Sequence, residues 1–166
     1  MIAAVLATLV ALSFVPFADN SSGALVEFDS GTRLTVRMTG FSYHDNTPAR
    51  SADICCGVVH DEAAGTGTYE NPITVAVPGS GGSMEFEPGT VFYAPDLRRY
   101  LIVEDSGASR NNRPHLDVYV DGQGYSKSAS DKCMREITGT RTVIEDPDPD
   151  YPVTRGPLTG PHGCRI

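Results

Sequence analysis

The chain has 166 residues, with 21 acidic against 13 basic side chains and a formal net charge of −8. No basic cluster stands out, which excludes nucleic acid as an expected partner, because phosphate binding needs clustered Lys and Arg. Four cysteines and the absence of Trp fit one secreted domain stapled by disulfides.

Met1 to Ala18 are almost wholly apolar and carry no charged side chain. They read as the h-region of a secretory signal peptide that lacks the usual n-region Lys or Arg. Cleavage is expected after Ala18 or Ala24, so residues 1–24 are assigned to the signal and 25–166 to a single domain. The run is shorter than the roughly 20 residues a membrane span needs. The expected location is therefore extracellular, as a monomer without stable membrane association.

Thr32 to Tyr43 alternates as a first strand, with Leu34, Val36 and Met38 on one face. A polar turn follows, Tyr43-His44-Asp45-Asn46-Thr47-Pro48. Ala49 to Glu70 reads as loop and holds Cys55 and Cys56. Its Gly65-Thr66-Gly67-Thr68 lacks the ending of a phosphate loop. Ile73 to Val77 is a second strand, Pro78 to Ser83 a glycine-rich loop, and Pro88-Gly89 turns the chain into a third strand, Thr90 to Ala94. Tyr100 to Glu104 and His115 to Val120 are the fourth and fifth strands. A short helix is expected around Ala129 to Arg135, pinned by Cys133, and Thr140 to Ile144 is a sixth strand. Asp146 to Ile166 reads as an irregular tail.

Six short strands and no long amphipathic helix argue an all-β barrel, with a sandwich as the alternative. Adjacent cysteines fall outside the preferred Cα separation of about 4.4–6.8 Å. Cys55 and Cys56 are therefore expected to reach Cys133 and Cys164, in either order. The four His show no metal-ligand spacing, and neither a metal nor a cofactor is expected.

In the fifth strand Leu116, Val118 and Val120 alternate with His115, Asp117 and Tyr119. Asp117 thus lies inside a strand, where Asp is depleted. VEDSGASRNNRPHLDVYVDG resembles the close of the three-aspartate domain of bacterial lytic transglycosylases and resuscitation-type cell-wall proteins. Asp105 matches the D-x-G aspartate of that pattern and Asp117 its final aspartate. FEPGTVFYAP resembles the same domain's turn and third strand, and MTGFSY its opening strand. The family's first aspartate is absent, since this chain has Ala76-Val77-Pro78 and then a glycine-rich insertion. The resemblance implies a six-stranded double-psi β-barrel. His115-Leu116-Asp117 and Tyr43-His44-Asp45 are also similar to elements of expansins and family-45 endoglucanases, where two aspartates serve as general acid and general base.

Glycosidic cleavage needs an acid that keeps its proton until the leaving oxygen departs, and burial or a neighbouring carboxylate can raise a pKa to supply it. Asp117 is the candidate acid, Asp105 its partner and Asp45 the candidate base for inverting hydrolysis. Each has a structural alternative: a barrel-crossover carboxylate, an Asx-turn maker and a simple turn residue. Tyr43, His115, Tyr119 and Tyr69 are candidate sugar-binding residues, against core packing as the alternative. No nucleophile elbow accompanies Ser106, His60 or His115, which argues against a serine or cysteine hydrolase. The expected function is a secreted enzyme that cleaves cell-wall polysaccharide, most of all peptidoglycan. The alternatives are an expansin-like glycan-binding protein without catalysis and a secreted inhibitor or effector.

Overall fold

The computed structural model describes residues 31–166, so the expected signal segment, 1–24, lies outside the described residues. Six strands close into a barrel: β1 (Thr32–Phe41), β2 (Ile73–Pro78), β3 (Val91–Ala94), β4 (Arg99–Ala108), β5 (His115–Tyr119) and β6 (Gly139–Glu145). Around the barrel the order is β1-β5-β2-β4-β3-β6. Two neighbour pairs are parallel, β1 with β5 and β2 with β4, and the other four are antiparallel. The expected all-β, six-stranded barrel is the observed fold, and closure leaves no sheet edge for a sandwich.

Period-two alternation fills the interior. Val36 and Met38, Val75 and Val77, Leu101 and Val103, and Leu116 and Val118 are each two residues apart and fully buried. The residues between them face the other way. Tyr93 and Tyr100, register partners on β3 and β4, begin a second apolar cluster with Ile144, and the tail's Tyr151 and Val153 pack on it. Tyr93 stacks on Tyr151 with ring centroids 4.5 Å apart.

The helix α1 (Lys127–Ile137) is capped by Ser126, whose hydroxyl accepts from the Ala129 N–H. Its buried Ala129, Ser130, Cys133 and Ile137 make one face, which packs against β1 at Gly40. A Cβ there would stand 2.9 Å from Ile137 Cδ1 and 3.1 Å from Met134 Cγ, so a larger residue would require these side chains to shift. The tail adds a short hairpin, β7 (Thr159–Gly160) with β8 (Gly163–Cys164).

The disulfide expectation is corrected. Cys133 pairs with Cys164 and Cys55 with Cys56. The helix and β8 bring the first pair to a Cα separation of 4.4 Å, whereas the 55–56 segment is hydrogen-bonded to β4 (Cys56 N–H to Glu104 O, 3.2 Å). Each distant cysteine already has a partner in bonding range, which leaves the neighbours to each other.

Candidate functional site

Pairing register lines up the site. Thr39 of β1 pairs with Asp117 of β5, Asp117 with Ala76 of β2, and Ala76 with Asp105 of β4. Met38, Leu116 and Val118 beside them are core residues, and a register shift between Val75 and Ala76 brings Asp105 level with Ala76. Two interstrand spacings of about 4.8 Å put the backbones of Asp117 and Asp105 roughly 10 Å apart. The small Ala76 methyl between them leaves room for a cleft of about 450 Å³, lined by Asp45, Asp53, Ile54, Cys55, Ala76, Asp105 and Asp117, with Phe41.

The three aspartates singled out in the sequence thus meet in one cleft. Asp45 is oriented by its own turn, where Oδ1 accepts from the Ser42 N–H (2.8 Å) and the Ser42 hydroxyl (2.6 Å). Asp105 Oδ1 accepts from the Cys55 N–H at 3.1 Å. Burial raises the Asp105 pKa, against the lowering effect of backbone hydrogen bonds from Ser106 and Cys55. Burial also raises the Asp117 pKa; the hydrogen bond from Thr39 and the charge of His115 lower it, while the charges of Asp45 and Asp105 push it further up.

Behind Asp117 runs a short hydrogen-bonded chain. The Thr39 hydroxyl lies 2.5 Å from Asp117 Oδ1 and 2.7 Å from His115 Nε2. His115 Nδ1 lies 2.7 Å from the Ser109 carbonyl oxygen and 3.1 Å from Asn111 Nδ2. A hydroxyl donates only one hydrogen. The Ser109 carbonyl can only accept, so His115 Nδ1 carries a hydrogen, and the Thr39 hydroxyl donates either to Asp117 or to His115 Nε2 but not to both.

The sugar-stacking candidates are not in the cleft. Tyr43 packs edge-on to His44, Tyr119 is buried against Phe41, and Tyr69 stands edge-on to Tyr100 beside the tail cluster. His115 is buried in the chain behind Asp117. The apolar wall of the cleft is instead Ile54, Phe41 and Cys55 of the Cys55–Cys56 disulfide, which aromatic pattern alone did not reveal.

Glu104 is the unexpected support. It is fully buried, and its Oε1 accepts from the N–H groups of Val58 (3.1 Å), Val59 (2.6 Å) and His60 (2.9 Å). Its Oε2 meets His60 Nδ1 at 2.7 Å and the Thr74 hydroxyl at 2.8 Å. Burial alone would raise the Glu104 pKa, but the hydrogen bonds from His60, Val59 and Thr74 together hold it below its ordinary value. Glu104 and Asp105 therefore fix the 55–60 backbone, and with it the disulfide side of the cleft. The sequence signal was a carboxylate closing the apolar run Tyr100 to Val103, which also reads as the start of a turn. Among the described residues, no group of three or more His, Cys, Asp and Glu side chains is placed to hold a metal ion, and no helix is long and apolar enough to cross a membrane.

The family model described as DDB_G0273701 N-terminal domain matches residues 33–165. The chain belongs to that family. The match contains the whole barrel wall around the cleft, the tail hairpin and all three aspartates. A relative from Dictyostelium discoideum, "Uncharacterized protein DDB_G0273701/DDB_G0273221", is 30% identical over 128 residues, 73% of this chain and 54% of that protein. The chain thus spans about half the length of that relative. No solved structure matches the chain.

Proposed function

We propose that the chain is a secreted enzyme cleaving a cell-wall polysaccharide, with the muramyl linkage of peptidoglycan as its foremost substrate and Asp117 as general acid. The reading also relates the barrel to the double-psi cell-wall proteins that the 103–122 segment resembles. One observation supports it above the others: Asp45, Asp105 and Asp117, from three separate segments, line the same cleft. Two disulfides suit an oxidising compartment.

In this reading a sugar ring packs its C–H face on Ile54 and the Cys55–Cys56 disulfide, in a chain that has no Trp. Asp117, whose pKa burial and the neighbouring negative charges raise, gives its proton to the leaving glycosidic oxygen. As the carboxylate forms, the Thr39 hydroxyl turns from His115 to Asp117 and stabilises the new charge. Asp45, with one oxygen engaged by Ser42, is the base that activates water in an inverting reaction, and Asp105 tunes Asp117. In a transglycosylase the sugar's own 6-hydroxyl attacks, and Asp117 alone acts as acid and then base.

The test is a turbidity assay on purified bacterial walls with product analysis for reducing ends and anhydro-sugars. Asp117→Asn should lower the rate by about 10²–10⁴-fold with an unchanged circular dichroism spectrum. Equal rates for the two proteins would remove the catalytic assignment. A second reading, glycan binding without cleavage, is favoured by Ala76-Val77-Pro78 standing where the resemblance expects an aspartate. Wall pull-down without released products would select it.

A further inference from the structure

Three arginines of this acidic chain meet around one cavity. Arg37 comes from β1, and Arg110 and Arg113 from the loop between β4 and β5; Asn111, Asn112 and Thr140 complete a lining of about 340 Å³. Each of these six side chains can donate a hydrogen bond and none is acidic. The ion pairs among the described residues involve none of the three arginines.

The fold assembles this cavity through strand register. Arg37 pairs with His115 on one side and Thr140 on the other, and its N–H donates to the Pro114 carbonyl at 2.8 Å. That bond holds the end of the 109–114 loop beside β1. Asn111 braces the loop from within by donating to the Ser109 carbonyl at 2.9 Å. The charges are far apart in sequence, Arg37 from Arg110 and Arg113, so no run of basic residues announces them. Three guanidinium groups around one space repel one another, and a bound anion relieves that repulsion.

We propose that this cavity binds an oxyanionic group of two or more negative oxygens, a phosphate or carboxylate, held by the forked guanidinium groups of Arg37, Arg110 and Arg113. The site stands on its own residues and does not depend on Asp117 chemistry. Two sources supply such a group: a free multivalent anion, or the acidic substituent of a glycan lying in the carboxylate cleft. The second source has a structural route, because the end of β4 lines that cleft with Ser106, Gly107 and Ala108 just before the chain enters the loop that carries Arg110.

Three probes separate these sources: inorganic phosphate, a disaccharide containing muramic acid, and the neutral N-acetylglucosamine disaccharide. Binding is followed by NMR on the arginine Nε–H signals and the side-chain amides of Asn111 and Asn112. Saturable shifts are expected that weaken with added salt and become at least about tenfold weaker in Arg110→Ala/Arg113→Ala. Both replaced side chains are exposed, so the barrel amide spectrum of that variant should stay in place. Saturation by phosphate, with no preference between the disaccharides, identifies a free anion. A roughly tenfold preference for the acidic disaccharide that vanishes in the double variant identifies the glycan. Asp117 does not line this cavity, so Asp117→Asn should leave the phosphate affinity unchanged. The proposal is overturned if no probe gives saturable shifts at these side chains, or if the double variant binds as tightly as the wild type.

Discussion

A single hydroxyl, Thr39, lies between Asp117 and His115, and its one hydrogen can point to only one of them at a time. If Asp117 is the acid, activity falls as pH rises through its pKa, which burial already places above the ordinary Asp value. Thr39→Val removes a hydrogen bond that favours the carboxylate, so the alkaline limb of the pH–rate profile should move to higher pH. Asp105→Asn removes a negative charge that favours the protonated acid, so the limb should move to lower pH. A limb that stays put in both variants belongs to another group. Glu104 obeys the opposite sign. Its pKa lies below the ordinary 4.5, so its stabilising contribution is complete above that value and is lost as pH falls through the lowered one. Asp105 and Asp117, with raised values, bind their protons more tightly in the folded chain, so their contribution is present at low pH and is lost as pH rises through those values. Glu104→Gln should cost about 2–4 kcal/mol near pH 7 and should flatten the acid end of the Tm-versus-pH curve. A variant that keeps the wild-type acid dependence would show that another carboxylate dominates it. Asp117 was conspicuous in the sequence as an acid inside an alternating strand, and Asp105 and His115 through the motifs they belong to, whereas Glu104 and Thr39 were not. Thr39 is an ordinary β-branched strand residue until register sets it beside Asp117.

The two disulfides do different physical work. Cys133–Cys164 spans 31 positions, and its loop-closure effect on the unfolded chain is about 3–4 kcal/mol. Cys55–Cys56 joins neighbours and closes no loop of that kind. Its segment is held instead by N–H bonds to Glu104 and Asp105. Cys133→Ser/Cys164→Ser should therefore lower stability by about that amount, whereas Cys55→Ala/Cys56→Ala should change it by under about 1 kcal/mol. The latter pair should act on ligand binding in the cleft. Urea titrations of both double variants check this, and equal losses would show that the 55–60 segment depends on its disulfide. All six strands were legible in the sequence, because alternation is a local signal, and α1 was expected over its centre, Ala129 to Arg135, though not to its full Lys127–Ile137 extent. The cystine pairing was not, because it depends on where β8 meets the helix. The stacking tyrosines were not legible either, since a core Tyr and a cleft Tyr have the same local pattern.

Barrel closure could not be told from a sandwich by periodicity, because both present one apolar face per strand. The distinction lies in which strands pair, and the parallel β1/β5 and β2/β4 contacts join segments far apart in the chain. Those same pairings create the cleft, so fold and candidate site became visible together. The tail, expected to be irregular, closes the outside of the barrel through one buried cation. Arg99 is fully buried on β4, and its guanidinium donates to the carbonyls of Leu97 (3.1 Å), Arg98 (3.3 Å), Gly156 (3.3 Å) and Arg165 (3.0 Å). Burial, with the charges of Arg165 and Arg98, lowers its pKa to about 10, so it remains charged at neutral pH. Gly67 makes room for it, since a Cβ there would collide with Arg99 Cδ. Arg99→Met keeps the apolar stem but leaves two tail carbonyls without these donors. Cys133–Cys164 still anchors the far end, and the Thr154 N–H still reaches the Arg98 carbonyl. The tail should then open as a tethered loop while the barrel persists. Amide hydrogen exchange should show protection falling about ten- to a hundredfold over residues 151–160, with β1, β2 and β5 unchanged. A uniform loss of protection would instead make Arg99 a support of the barrel itself.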